Sequence, residues 1–450
     1  MTKSAIFKVY TISLGCPKNR VDTERMLGQV REVYQPAQEL EDADLIVINT
    51  CAFIQPAVEE SVQTILELAQ TVQNLPHRPL LLVTGCLPAR YGEKELAREL
   101  PEVDIWLPLQ EQDRFGACLA GHFDLFPSGP SRLLTTAPGF AYLKISEGCE
   151  HRCAFCTIPA IRGPLRSESM TSLLAEARHL RDQGARELCL VAQDVTAFGR
   201  DAGQGKTALP RLLEGLCTMQ GIDWVRLMYL YPTGLSQNLL TFMARAGPPL
   251  LPYIDVPLQH AHPDILAGMG RPFAQDPRRI VDRVKTCLPE ACLRTSLIVG
   301  YPGETEHHFQ SVLDFVQEVG FWHVGVFAFC SEEGTKAAKL PHQVPDQVKA
   351  ERREELMRVQ AEISRERMAG FTGQTHRVLL DQPDPEWPTL FQGRSWFQAP
   401  EVDGLTYVSS QTAAPGDMVW AEVVDSMDYD LSALDVGRDG AKDLETKGLG

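Results

Sequence analysis

The sequence predicts an α/β protein in three parts: an N-terminal open parallel α/β sheet, a central partial TIM-type (βα) barrel and a small C-terminal β-barrel. Three observations lead there. Near the start, three apolar β-rich runs alternate with helix-patterned stretches. From 140 to about 335, six further β-then-α units follow. Beyond 370, helical periodicity stops and short strand-like runs take over, separated by Pro, Gly and Asp turns. Continuous apolar strands alternating with helices are covered on both faces and therefore run parallel. A chain of 450 residues accommodates about three domains of roughly 150 residues each, and we place them at 5–121, 135–368 and 370–436.

In the first part, KVYTISLGC, DLIVINTC and PLLLVTGC read as strands, with VDTERMLGQVREV and AVEESVQTILELAQ as helices between them. Residues 121–139 are rich in Pro, Gly and Ser and read as a linker. The barrel strands are AYLKIS, ELCLVAQD, WVRLMYLYP, YIDVPLQ, LRTSLIVG and HVGVFAF, interleaved with helices such as MTSLLAEARHLRDQG and HFQSVLDFVQEVG. A charged helix from Pro345 stops near Gly370. THRVLLD, LTYVSS and DMVWAEVV then suggest a small barrel or sandwich, and the tail from about Gly437 is polar and frayed.

The hydrophobic fraction of 44% and charged fraction of 23% exclude a mostly disordered chain. No run reaches the ~18–20 apolar residues of a membrane helix, and the start, MTKSAIFKVYTISLGC, lacks a signal-peptide h-region. A cytoplasmic location is expected, where thiols stay reduced, so 12 cysteines point to metal or catalysis before disulfides. The net charge of −16 is uneven: −6 over residues 1–140, −1 over 141–370 and −9 over 371–450. An acidic final domain repels phosphate backbones and attracts basic partners, unless it serves solubility alone.

Cys149-x3-Cys153-x2-Cys156 follows directly on the first expected barrel strand. Three thiolates in eight residues can hold three irons of a 4Fe-4S cube and leave the fourth iron open to a ligand. A zinc ribbon would need a second CxxC-like pair, and none is present. Cys16, Cys51 and Cys86 each end one of the three early strands, preceded by Gly15, Thr50 and Gly85. In an open parallel sheet the loops after adjacent strands converge on one edge, so these three cysteines are candidates for a shared metal centre. The alternative is buried free thiols, common in cores. Cys118, Cys189, Cys217, Cys287, Cys292 and Cys330 read as packing residues, with Cys330 nearest the functional end of its strand. Gly205-Lys206-Thr207 is not a phosphate loop, because Arg200 stands where the first glycine belongs. His260 and His262 read as structural histidines at the barrel rim.

SLGCPKN at 13–19, INTCAFI at 48–54, VTGCLPA at 83–89 and KISEGCEHRCAFCTIPAIRG at 144–163 resemble the methylthiotransferases of the radical S-adenosylmethionine superfamily. So do DVPLQHA at 255–261, IVGYPGETE at 298–306 and the closing MDYDL at 427–431, and the likeness is greatest to the branch that modifies a ribosomal protein aspartate. It covers about residues 6–435 and makes the last domain TRAM-like. The resemblance implies that Cys149, Cys153 and Cys156 bind a radical-generating 4Fe-4S cluster whose open iron takes S-adenosylmethionine. A 5′-deoxyadenosyl radical would then abstract hydrogen from the β-carbon of an aspartate in ribosomal protein twelve of the small subunit. Cys16, Cys51 and Cys86 would bind a second 4Fe-4S cluster holding the sulfur to be inserted, a second S-adenosylmethionine would supply the methyl group, and a reductant protein would supply electrons. Phe155, Gln193, Asp194, Gly300 and Glu304 would contact the cofactor, and Arg271 the substrate or a carboxylate. Packing and plain turns are the competing explanations for these positions.

Two residues depart from the family pattern. Glu168 follows Ser167 where an arginine is usual, with Arg166 nearby, and Phe329 replaces a tyrosine, which excludes a phenol role there. The sister reaction on a tRNA adenosine uses the same architecture, but its enzyme would be expected to present a basic final domain. The −9 balance and the wording SLGCPKN favour a basic protein substrate instead. A non-catalytic iron–sulfur carrier would need no barrel of this length.

Overall fold

The computed structural model describes residues 6–123, 132–273 and 276–437. Part of the expected linker and the expected frayed tail beyond Gly437 lie outside the described residues. The chain forms two compact units: one of residues to Thr135 with Glu147–Leu165 and Glu332–Thr335, the other of Thr136–Ser146, Arg166–Ser331 and the chain from Lys336.

The first unit is built on five parallel strands, β1 (Phe7–Ser13), β2 (Tyr34–Pro36), β3 (Leu45–Thr50), β4 (Leu80–Gly85) and β5 (Ile105–Pro108), in the order β2-β1-β3-β4-β5. Alternate residues of the central strands feed two cores. Ile46, Ile48, Leu81 and Val83 meet the helix Gln55–Gln73 through Val58, Ile65, Leu68 and Val72. Leu45, Val47 and Leu82 meet Met26, Leu27, Phe115 and Leu119 on the other face. Each such side chain, fully buried, contributes about 1.5–3 kcal/mol of hydrophobic stabilisation. The three expected strands are present. The edge strands β2 and β5 were not expected, because runs of three and four residues are too short for a period to show. The first helix spans Pro17–Gly28, starting four residues before the expected VDTERM. Proline at its first position suits a helix start, and Cys16 is its N-cap.

In the second unit all six expected barrel strands form. They lie in two parallel three-stranded sheets, Trp224–Leu227 / Glu187–Val191 / Phe140–Lys144 and Tyr253–Asp255 / Cys292–Val299 / His323–Ala328. The bridge Val225–Leu250 and the bond from Leu230 N–H to the Asp255 carbonyl link the two sheets. A helix runs from Asp346 to Ala369, and a closed barrel follows: Thr375–Pro383, Leu390–Ser395, Thr406–Ser409, Leu431–Asp435 and Met418–Ser426, in that spatial order. The barrel alternative therefore holds over the sandwich. Leu390–Ser395 was not expected: its sequence, LFQGRS, is broken by Gly393 and turns Arg394 inward.

Arg394 points inward because of what it meets. The first residues of the barrel strands, Phe140, Glu187, Tyr253, Cys292 and His323, line the N-terminal end, where stability rather than chemistry resides in such barrels. Residues 394–403 close that end. Arg394 donates to Glu187 and, at 2.7 and 2.9 Å, to both oxygens of Asp381. Arg226 donates to the other Glu187 oxygen at 2.7 Å and to the Trp396 carbonyl at 2.7 Å. Asp403 accepts from Tyr253 at 2.6 Å and from Arg294 at 3.2 Å, and the Phe397 carbonyl lies 2.8 Å from His323 Nε2. Burial raises the Glu187 carboxyl, but Arg226 and Arg394 outweigh it and hold the group below the usual range.

Candidate functional site

Cys16, Cys51 and Cys86 sit where β1, β3 and β4 end: Cys16 caps the helix Pro17–Gly28, Cys51 follows β3, and Cys86 opens the helix Cys86–Tyr91. The structure brings them together. Burial pushes the Cys51 thiol up to about 11; the Phe53 N–H opposes this, while Cys86 and Cys16 add to it. Cys86 is raised by burial and lowered by Arg162. Gly15 and Gly85 have positive φ, +89° and +99°. A Cβ on Gly15 would stand 2.6 Å from Cys51 Cβ, and one on Gly85 2.3 Å from Asn49 Oδ1. Only glycine permits this approach. Gly15→Ala is therefore expected to lower stability by about 1–3 kcal/mol and to reduce iron bound after anaerobic reconstitution, measured by thermal denaturation and metal analysis.

Asn19, not singled out from sequence, holds the three loops in register. Its side-chain N–H groups reach the carbonyls of Leu14 and Thr50 at 2.8 and 2.9 Å, just ahead of Cys16 and Cys51. Its oxygen lies 3.9 Å from Cys86 Sγ and accepts from Arg162. Asn49 supports it from below, donating to the Asn19 carbonyl at 2.8 Å and to Thr23 Oγ1 at 3.0 Å. Ser61 clamps Cys51, donating to its carbonyl at 2.7 Å and accepting from its N–H at 3.1 Å.

The segment with Cys149, Cys153 and Cys156 belongs to the same unit. Its neck closes where Cys149 N–H meets the Gly163 carbonyl at 3.0 Å, and a Cβ on Gly148 would lie 2.0 Å from the Pro164 oxygen. Ile161 enters the core beneath β3 and β4. Thr157, next to Cys156, donates to the Phe53 carbonyl at 2.8 Å, two residues beyond Cys51. Glu332 accepts from Gln55 N–H and Arg90, both at 2.7 Å, and Arg90 also donates to the Ala52 carbonyl at 2.8 Å. Phe155 is half-buried between its flanking cysteines.

All six cysteines are free thiols. Among the described residues only His262, Asp264 and His308 bring three ligating atoms within 4.8 Å of one another. Neither cysteine set closes so far, whereas thiolates on a single tetrahedral zinc, bonded at about 2.3 Å, would stand closer together than that. The histidine group has another use. His262 and His308 accept through Nδ1 from the N–H groups of Asp264 and Thr305 at helix starts, which leaves Nε2 protonated in the neutral ring and unsuited to a metal.

The other expected site residues lie in the second unit. Asp194 is buried and accepts from the N–H and hydroxyl of Thr196, capping a short turn beside Gln193. Arg271 is buried with its guanidinium over Tyr231 and Phe273, at 5.2 and 5.8 Å. Gly300, at φ +73°, donates its N–H to Glu304, which also accepts from Arg352 at 2.8 Å and lies 3.3 Å from His260. Burial raises the Glu304 carboxyl, but the His260, Gly300 and Arg352 interactions outweigh it and hold it below the usual range. Tyr229 and Gln259, missed in the sequence, are non-glycine residues at φ +58° and +75° just past barrel strands. Such strain gathers at functional rims. Of the six cysteines expected to pack, Cys189 and Cys292 are buried; Cys118, Cys217, Cys287 and Cys330 are only partly so.

Residues 8–108 match the family described as uncharacterized protein family UPF0004, residues 143–316 the radical SAM superfamily and residues 372–436 the TRAM domain. A ribosomal protein uS12 methylthiotransferase RimO from Nitratidesulfovibrio vulgaris is 57% identical over 430 residues, spanning 95% of this chain and 100% of that protein. A protein of the same name from Lawsonia intracellularis is 48% identical over 433 residues, spanning 96% and 98%. The solved radical S-adenosylmethionine methyltransferase TsrM from Kitasatospora setae shares the fold, with a TM-score of 0.51 at 12% identity over 72% of this chain and 75% of that one. Near-complete identity-bearing alignment together with the three matched domains places the chain in the ribosomal protein uS12 methylthiotransferase family of radical SAM enzymes.

Proposed function

We propose that this chain is the enzyme that inserts sulfur and a methyl group at the β-carbon of an aspartate of ribosomal protein uS12. The observation that supports this most is that both cysteine sets lie in one unit, with Thr157 and Arg162 of one segment bonded into the cradle of the other. Cys149, Cys153 and Cys156 would hold one 4Fe-4S cluster and Cys16, Cys51 and Cys86 a second. When bound, these clusters and S-adenosylmethionine supply reductive cleavage, hydrogen abstraction and the sulfur and methyl groups, chemistry no side chain performs.

The chain's own residues position and shield. Gly15, Gly85 and Asn19 let three loops approach and hold them in register. Gly148 and Gly163 close the neck of the second cysteine loop. Phe155, Gln193, Asp194, Gly300 and Glu304 are proposed to bind S-adenosylmethionine, and Arg271 a carboxylate. Domains at 5–121, 135–368 and 370–436, a reductant protein and a cytoplasmic location complete the reading; no helix among the described residues is long and apolar enough to cross a membrane.

Docking of the basic substrate is proposed on the acidic last domain. Glu386, Glu401, Asp417, Glu422 and Asp425 are exposed there, whereas Asp381 and Asp403 are buried in ion pairs and play no part. Binding to uS12 is expected to weaken as salt rises, measured by titration at several ionic strengths. The test of substrate is mass spectrometry of uS12 and of total tRNA from cells lacking the gene. We expect uS12 to lose its methylthio group and tRNA to be unchanged; loss from tRNA alone would establish the adenosine reaction instead.

A further inference from the structure

Arg162 is the most enclosed cation of the first unit's cysteine cradle, its side chain 1% exposed. It stands six residues after Cys156 and closes the helix Ile158–Arg162, whose Ile161 is locked in the core. Its guanidinium is divided between two duties. Nη1 faces carboxylates, Glu147 at 2.8 Å and Asp22 at 3.3 Å. Nη2 donates to Asn19 Oδ1 and, at 3.5 Å, to Cys86 Sγ. A purely structural buried cation would be satisfied by its carboxylates. This one places an N–H and a positive charge on a thiol of the proposed auxiliary cluster.

We propose that Arg162 is a positioning residue that tunes the auxiliary cluster through Cys86 and ties it mechanically to the segment bearing Cys149, Cys153 and Cys156. The inference rests on the reading that Cys16, Cys51 and Cys86 hold a 4Fe-4S cluster. Hydrogen bonds to cluster sulfurs, local charge and burial are the levers by which a protein sets such a potential. A donated N–H and a nearby cation stabilise the more negative, reduced cluster, so Arg162 raises its reduction potential. The same guanidinium holds Asn19, which holds the carbonyls ahead of Cys16 and Cys51. One side chain therefore senses the second cysteine segment and the geometry of all three auxiliary ligands.

The test uses full-length protein in which Cys149, Cys153 and Cys156 are Ala, so that only the auxiliary cluster is loaded. Its midpoint potential is read by electron paramagnetic resonance during titration with dithionite, with Arg162 native and as Arg162→Met. The expected result is retention of about four irons with reduction disfavoured roughly tenfold or more, a shift of about 59 mV for one electron. Retention of iron with an unchanged potential overturns the inference. If Arg162→Met loses its iron, Arg162→Gln, which keeps a donor without charge, and Arg162→Lys, which keeps charge without the fork, decide. Either one loading with a lowered potential supports the inference, and both loading at the native potential overturns it. Failure of the native-Arg162 protein to bind iron overturns the two-cluster reading itself, a separate outcome.

Discussion

Replacing Cys149, Cys153 and Cys156 together by Ala will abolish methylthio transfer and lower iron bound after anaerobic reconstitution from about eight to about four per chain. The loss of activity is expected to be complete, because an unactivated C–H bond offers no path that a side chain could take over. The remaining four irons are the sharper readout. They require that the cradle of Cys16, Cys51 and Cys86 assemble independently, and the structure gives it its own supports in Asn19, Asn49, Ser61 and Gly15. A native protein that binds only four irons would overturn the two-cluster reading. Loss of all iron in the variant would overturn it as well, since the cradle of Cys16, Cys51 and Cys86 would then hold no cluster of its own.

The second large effect is on stability. Glu187→Gln is expected to destabilise the second unit by about 3–5 kcal/mol, because it leaves Arg226 and Arg394 buried without their shared carboxylate. For a unit of this size the melting midpoint should fall by on the order of 10 °C. The pH dependence follows from the sign of the shift. Glu187 is held below its ordinary value in the folded protein, so its stabilisation is complete above the unfolded value near 4.5 and is lost as pH falls through the folded value. The gap between native protein and variant should be widest near neutrality and narrow in acid. Thermal melts from pH 7 down to about pH 2 measure it, and equal melting points at pH 7 would show that the charge network contributes nothing net.

These two effects sit at opposite poles of legibility. The cysteines were readable because their chemistry is local: three thiols in eight residues, and three more at the ends of three apolar strands, announce themselves by spacing. Glu187, Arg226 and Arg394 were not. They lie 39 and 168 residues or more apart along the chain, inside runs whose other members are apolar or turn-like, and each alone reads as an exposed charge. Pairing of two neighbouring barrel strands brings Arg226 to Glu187, and only the closing of the last β-barrel against the strand starts adds Arg394. The charge argument was sharpened in the same way: two of the acidic residues of the final segment, Asp381 and Asp403, turned out to neutralise buried arginines rather than face solvent.

Periodicity and motif spacing sufficed for the parallel α/β sheet, the six barrel strands and the six candidate ligands, because hydrophobic pattern and metal spacing are properties of short segments. Strands too short or too polar to show a period, β2, β5 and Leu390–Ser395, depended on neighbours already in place. Asn19 and Arg162 stand inside the very motifs that identified the family, yet nothing in those motifs says that an amide would bridge two strand ends or that a guanidinium would reach Cys86. Such contacts join residues 76 and 143 positions apart, and a hydrogen bond is settled by distance in space, which local sequence does not encode.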